Sequence, residues 1–202
     1  MKIEPKKMNV LLAKSIREAA NLFEKEELSY YALTSKIENL IRDRLAYILF
    51  NRLRRTNFRV LREWKRRDIA ILPGINALSE YFIELKATHH HSLIDKKLKN
   101  PALKDMQNDM IKLRKLHQYT DFYQVLLLTT FPNGLPAKFS SYCKYRPKHH
   151  RPYVKSDVDT IINSSQLGKP IFHERIHSAS IGKCLVDIYA ICFFTSKYDV
   201  IS

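Results

Sequence analysis

Cysteine, acidic residues and long apolar runs are what this chain has least of, and each shortage removes a class of explanation. The three cysteines, Cys143, Cys184 and Cys192, are odd in number and lack metal-ligand spacing. Neither a disulfide framework nor a zinc knuckle fits them, and a reducing cytoplasm is the expected setting. Near the N-terminus, Asn9-Val10-Leu11-Leu12-Ala13 is cut off by Lys14, too early for a signal-peptide apolar region or a membrane span. A soluble, intracellular protein is therefore expected. Acids are outnumbered: 20 Asp+Glu against 35 Lys+Arg leave a formal net charge of +15 and a pI of about 9.7. Such an excess favours a polyanionic partner, because neutralised phosphates release their condensed counterions.

With 202 residues and 45% hydrophobic content, the chain can bury one substantial core, and no separate second domain is expected. Two short apolar runs stand out, Ile69 to Leu72 and Tyr81 to Leu85. Both are rich in β-branched and aromatic residues, and Pro73-Gly74 plus a polar segment separates them, so they read as an antiparallel hairpin. Asp68 opens the first run, and Glu84-Leu85-Lys86 ends the second. Strand side chains alternate, so Glu84 and Lys86 share one face while Ile83 and Leu85 take the other and pack inward. Charges set into buried strands are costly unless paired, hydrated or bound to a metal. Such a breach of local rules marks a site or a sheet end.

Around the hairpin, Leu12, Ile16, Ala19 and Phe23 recur at helical spacing and predict an amphipathic first helix. Ser35, with Glu38 three residues on, has the form of a capping box opening a helix with Ile41, Leu45, Ile48 and Leu49 on its apolar face. Glu38 thus reads in two ways, as a cap or as an extra carboxylate near Asp68 and Glu84. Asn100 and Pro101 supply an N-cap and a first-turn proline for a helix burying Leu103, Met106, Met110 and Leu113. Tyr123 to Thr130 reads as a fully buried strand, Asp157 to Leu167 as a short helix and Lys183 to Thr195 as a late strand. His89-His90-His91 cannot all face one ion from a regular element, and they read as a hydrated loop. The expected class is α/β, a central mixed sheet flanked by helices.

Two basic stretches frame this core. Arg52, Arg54, Arg55, Arg59, Arg62, Lys65, Arg66 and Arg67 cover a helix end and a strand from Phe58 to Trp64, then lead directly into Asp68. They read as a solvated face or as a phosphate track, and Glu63 among them is expected to pair with neighbouring arginines. In Tyr142 to Tyr153, Lys144, Arg146, Lys148 and Arg151 alternate with aromatics. That pattern suits either a surface loop or a segment that holds a nucleic-acid backbone while its rings contact bases or sugars.

A rival motif is His173-Glu174-Arg175-Ile176-His177, the H-E-x-x-H form by which histidines one helical turn apart bind zinc beside a general-base glutamate. Arg175 puts a cation inside it, no further glutamate or histidine ligand follows His177, and Ser180 stands where the longer pattern needs glycine. A zinc peptidase is the remote alternative.

Asp68, fifteen intervening residues and then Glu84-Leu85-Lys86, on a hairpin with a helix before it and a helix and buried strand after it, resembles the restriction-endonuclease-like PD-(D/E)xK nuclease superfamily. Residues 35 to 131 would be the catalytic core, 1 to 34 an N-terminal helical segment and 132 to 202 a C-terminal substrate-binding elaboration. One departure is Arg67, where a proline often precedes the first acid.

The resemblance implies a metal-dependent endonuclease that hydrolyses phosphodiester bonds in DNA. Asp68, Glu84 and the backbone carbonyl of Leu85 would hold magnesium, with manganese as a substitute; hard oxygen donors suit both ions. Lys86 would orient the attacking water and offset transition-state charge, with Glu38 as an additional carboxylate and Gln107 as a supporting polar residue. Restriction or anti-phage defence is the expected context, recombination or repair cleavage the alternative. A homodimer is expected because cutting both strands with one site per chain is most simply done by two chains. The non-enzymatic alternatives are a structural ion pair between Lys86 and an acid, or the same fold serving only to bind nucleic acid.

Overall fold

The computed structural model describes residues 3–64, 67–74, 81–94, 101–116, 120–139, 143, 152–163 and 165–197. In chain order the elements are α1 (Pro5–Asn21), α2 (Glu27–Thr34), α3 (Glu38–Leu53), β1 (Phe58–Trp64), β2 (Arg67–Pro73), β3 (Tyr81–His89), α4 (His90–Ile94), α5 (Pro101–Leu116), β4 (Asp121–Thr130), α6 (Lys155–Asn163), β5 (Phe172–Ile181) and β6 (Cys184–Thr195). The six strands form one mixed sheet in the order β1-β2-β3-β4-β6-β5. Only β3 and β4 run parallel, and α5 makes the crossover between them. All other neighbours are antiparallel. The α/β class and the flanking helices are as the sequence predicts.

Alternation along the strands builds a core on each face of the sheet. On one side Ile69, Ile83, Leu85, Val125 and Leu127 meet Leu12, Ile16, Ile41, Leu45 and Leu49 of α1 and α3. On the other, Leu126, Leu128 and Phe193 meet Leu103, Met106, Val158 and Ile162 of α5 and α6, while Phe82 and Phe122 enclose Leu113. β4 is thus covered above and below, and its two edges are occupied by β3 and β6; every one of its residues is buried. This is why the centre of its sequence, Val125 to Leu128, is a continuous apolar run rather than an alternating one.

Several expectations need correction. The capping box does not form: Ser35 ends α2, a helix the sequence reading missed, and its hydroxyl donates to the Tyr31 carbonyl at 3.0 Å. Ile37 occupies the N-cap of α3, with no side-chain cap. Met110 is only partly buried, Asn100 lies outside the described residues, and α6 stops at Asn163. The segment after residue 131 supplies β5 and β6, so it completes the sheet as well as elaborating it.

His89, His90 and His91 are not a hydrated loop. His89 ends β3, His90 and His91 open α4, and all three rings surround Phe131. His89 tolerates burial because its ring Nε2–H donates to the Ala32 carbonyl at 2.7 Å, leaving Nδ1 to accept from the Cys143 thiol at 3.4 Å. Burial holds the His89 imidazole neutral, with its pKa down at about 4. No helix among the described residues is long and apolar enough to cross a membrane.

Leu127 lies at the centre of β4 with no exposure. Leu127→Ala should destabilise the protein by about 2–5 kcal/mol, the usual range for truncating a fully buried leucine. Denaturant titration would read this as a lower midpoint at unchanged slope.

Candidate active site

Backbone pairing between β2 and β3 covers Ile71–Tyr81, Ala70–Phe82 and Ile69–Ile83 and goes no further toward Asp68. Past that point β3 continues along β4 alone, through Glu84, Leu85 and Lys86 to His89. A cleft therefore opens between β2 and β3. Asp68 bridges its mouth: Oδ2 accepts the Leu85 backbone N–H at 2.7 Å, taking the place of a ladder carbonyl. The N–H and C=O of one strand residue point to the same side, so the Leu85 carbonyl also faces the cleft.

Glu84, next along β3, is only 8% exposed. Its Oε1 is buried and has no hydrogen-bond partner among the described residues, and the nearest cation, Arg67 Nη1, is 3.6 Å away. Burial, reinforced by the Asp68 carboxylate and only partly offset by Arg67, pushes the Glu84 carboxyl up to about 8. Lys86 shares this face of β3 and pairs with Asp109 Oδ2 of α5 at 3.1 Å. Burial alone would pull its ammonium down; Asp109, with Glu38 and Glu84 behind it, more than reverses this and raises its pKa. Lys86 is therefore a cation at neutral pH.

Glu38 reaches the site from the first turn of α3. Its Oε2 accepts the Ala87 backbone N–H at 3.0 Å, so its carboxylate fixes β3 one residue beyond Lys86 instead of capping its own helix. One turn later Arg42, 9% exposed, bonds Asp43 and Glu63 at 2.9 Å each and faces Asp68 Oδ1 at 3.6 Å. Burial lowers the Arg42 pKa, but its ring of acids raises it on balance, and it stays charged. Glu63 does pair with an arginine, though one from α3 and not a sequence neighbour. Its φ of 54° lies in a region that residues other than glycine rarely adopt.

Asp68, Glu84, Lys86 and Glu38 are thus gathered at one cleft. Sequence reasoning missed three neighbours, each of which left a trace. Arg42 is a charge set among Ile41, Leu45 and Leu49, and Asp109 follows Met106 by three on the buried stripe of α5. Gln124 is a lone amide in the apolar β4, directly across the parallel ladder from Glu84. It donates to the Met106 carbonyl at 2.6 Å, and its buried Oε1 has no hydrogen-bond partner among the described residues. Gln107 is half-buried on α5.

The basic residues divide. Arg67 is turned inward against Glu84, Arg62 pairs with Asp43 at 2.8 Å, and Arg59 donates to the Gly74 carbonyl at 3.0 Å. Arg54 and Arg55 are exposed, with no ion pair among the described residues. Lys65, Arg66, Lys144, Arg146, Lys148 and Arg151 lie outside the described residues.

The zinc alternative does not survive. His173 to His177 lie on β5 and not on a helix, and four strand steps separate side chains by about 13 Å. The three groups go to different partners: His173 to Asp159, Glu174 to Arg17 and His177 to Ser29.

The cleft does suit a hard divalent cation. Two carboxylates and a backbone carbonyl face it, and one carboxylate oxygen is buried without a hydrogen bond, the condition an ion would relieve. Among the described residues no group of three or more His, Cys, Asp or Glu side chains forms a metal cluster. The donors would be Asp68, Glu84 and the Leu85 carbonyl, completed by water and substrate oxygens. No family model, curated protein or solved structure matches the chain.

Two outcomes follow from these charges. The folded state keeps on Glu84 a proton that the unfolded chain loses near its ordinary 4.5. This contribution to stability is full below pH 4.5, declines as pH rises and is gone above about 8. In chelator, melting temperature should fall between pH 5 and 8 more steeply for wild type than for Glu84→Gln, and magnesium should restore only wild type at pH 8. Asp109→Asn removes the acid that holds Lys86 charged, so the Lys86 ammonium should titrate at lower pH, read by NMR of its side chain.

Proposed function

We propose that this chain is a magnesium-dependent nuclease of the restriction-endonuclease-like type, hydrolysing phosphodiester bonds in DNA. The observation that carries the proposal is the convergence of Asp68 and Glu84 where β2 and β3 separate, with Lys86 on the same face of β3. The element order supports it: α3, β1, β2, β3, the short α4, α5 and β4 run helix, three antiparallel strands, two helices, parallel strand. The resemblance rests on a hairpin with a helix before it and a helix and buried strand after it, and this order contains those parts.

In this reading Asp68, Glu84 and the Leu85 carbonyl hold the ion, with manganese as an acceptable substitute. Bound there, magnesium supplies Lewis-acid polarisation of the scissile phosphate and a lower pKa for the attacking water. The chain's own groups do the rest. Lys86 carries a full positive charge toward the phosphate, where it orients the water and offsets the negative charge that grows in the transition state. Asp109 fixes the direction of that ammonium. Glu38, by holding the Ala87 amide, keeps β3 in place while the cleft fills. Arg42 and Arg67 balance the carboxylates from 3.6 Å, at the fringe of ion-pair range, so they leave carboxylate oxygens available.

Arg54 and Arg55 are placed to meet the phosphate backbone, and a second copy of the chain would supply the second cut of a duplex. Defence against foreign DNA and recombination or repair cleavage both fit this chemistry.

The decisive measurement is nicking of plasmid DNA by wild type and by Lys86→Ala, in magnesium, in zinc and in chelator. Cleavage should need magnesium and fall about 10²–10³-fold in Lys86→Ala, as when one preorganised electrostatic group is removed. Activity that survives the substitution would sink the assignment. Tight, salt-sensitive DNA binding without any cleavage would make the protein a binding module instead.

A further inference from the structure

α3 carries apolar side chains on both its inner and outer sides. Its inner side buries Ile41, Leu45 and Leu49, whereas Tyr47 and Phe50 on the outer side are 64% and 47% exposed. Tyr47, Phe50 and Arg54 are spaced by three and four residues, so they line one face of the helix. α3 also carries Asn39, Arg44, Asn51 and Arg52, so the two partly exposed rings form a local aromatic patch on an otherwise polar outer side. Arg54, the C-cap residue, continues this stripe and Arg55 follows in the turn, both exposed. The same face borders the sheet edge, since its Asp43 pairs with Arg62 of β1.

Charge decides between possible occupants. A second copy with its α3 parallel to this one would bring arginines against arginines, and an antiparallel one would set Arg54 against Asp43. The acid on this face, Asp43, is already engaged by Arg42 and Arg62. A polyanion meets no such penalty, and the chain as a whole carries a net charge of +15. A closed duplex would use the arginines yet leave both rings idle, because its bases are stacked on each other. An unpaired strand uses both: its phosphates meet the arginines and its bases stack on the rings.

We infer that the outward face of α3, formed by Tyr47, Phe50 and Arg54 with Arg55, is a stacking platform for an unpaired nucleic-acid strand. Phe50 lies about 12 Å along the helix axis from Arg42, which faces Asp68. A strand leaving the cleft along α3 therefore reaches the rings within a few nucleotides. Insofar as it rests on the nuclease reading, the inference makes the substrate single-stranded DNA or DNA with a single-stranded flank.

The test is fluorescence anisotropy in chelator, with a labelled single-stranded oligonucleotide and with the duplex of the same sequence. Tyr47→Ala and Phe50→Ala should each weaken single-strand binding roughly 5- to 150-fold, as expected for losing one base–aromatic stack. Duplex binding should be unchanged, and Tyr47→Phe and Phe50→Trp, which keep a ring, should behave as wild type. Melting curves establish that these surface variants remain folded. Equal losses on both nucleic acids, or no loss on either, would overturn the inference. So would sedimentation showing that the alanine variants lose self-association and not strand binding, which would give the face to a second copy. A parallel cleavage assay with Lys86→Ala separates the two proposals. Ring-dependent strand binding without cleavage by wild type leaves the platform standing alone, whereas cleavage indifferent to the rings leaves the nuclease standing alone.

Discussion

The arrangement of charge in this protein depends on one hydrogen bond, from the Leu85 amide to the Asp68 carboxylate. Two strands that part would each expose unpaired backbone groups, which are costly when partly buried. Asp68 satisfies the amide with a side chain, so the ladder can stop while β3 continues along β4. The bond commits one carboxylate oxygen and leaves the other facing Arg42. It also brings Asp68 close enough to burden the ionisation of Glu84. The strand ending and the pairing of acids thus share a cause, and Asp68 adds to the burial that raises the Glu84 pKa.

The remaining charges are arranged in proportion to their burial. Lys86, half-buried, has a short contact with Asp109, and Arg42, more deeply buried, is ringed by three acids. Removing one member of such a set strands another in a poor solvent, which explains why these interactions are better regarded as one network than as separate bridges. The pair between Lys86 and Asp109 is also what a purely structural role would produce. The feature that points beyond structure is Glu84 Oε1, a buried acceptor left without a hydrogen bond beside a second carboxylate. Other buried side-chain atoms among the described residues, Asp187 Oδ1 and Gln124 Oε1 among them, also lack a hydrogen bond, so it is the second carboxylate beside Glu84 that sets it apart.

Much of this was legible in the chain. The hairpin, its shared face for Glu84 and Lys86, the crossover helix and the buried strand all follow from local periodicity, which tertiary contacts here reinforce. The failures came where a local rule met a long-range partner. Ser35 and Glu38 have capping-box spacing, yet the Ala87 amide, forty-nine positions away, claims Glu38. Three histidines look polar, but their rings pack like aromatics around Phe131, and His89, neutral, has both nitrogens engaged. His173 and His177 sit at zinc-binding spacing only if the segment is helical, and pairing with β6 makes it a strand. Arg42 and Asp109 were visible as charges on apolar stripes, but a stripe does not say what lies opposite it.

The position of β6 has a consequence for how the cleft comes into being. β4 is buried from end to end with an apolar centre, Val125 to Leu128, and β6, far downstream at Cys184–Thr195, covers the edge that β3 leaves open. Until β6 docks, β4 presents an unpaired, apolar edge, the kind of surface that recruits other chains. Because β3 draws its support beyond Ile83 from β4, the geometry at Glu84 waits on a strand a hundred positions later. Such long-range strand pairing is slow. A chain halted before β6 would hold every residue of the cleft and still have no stable place to put them.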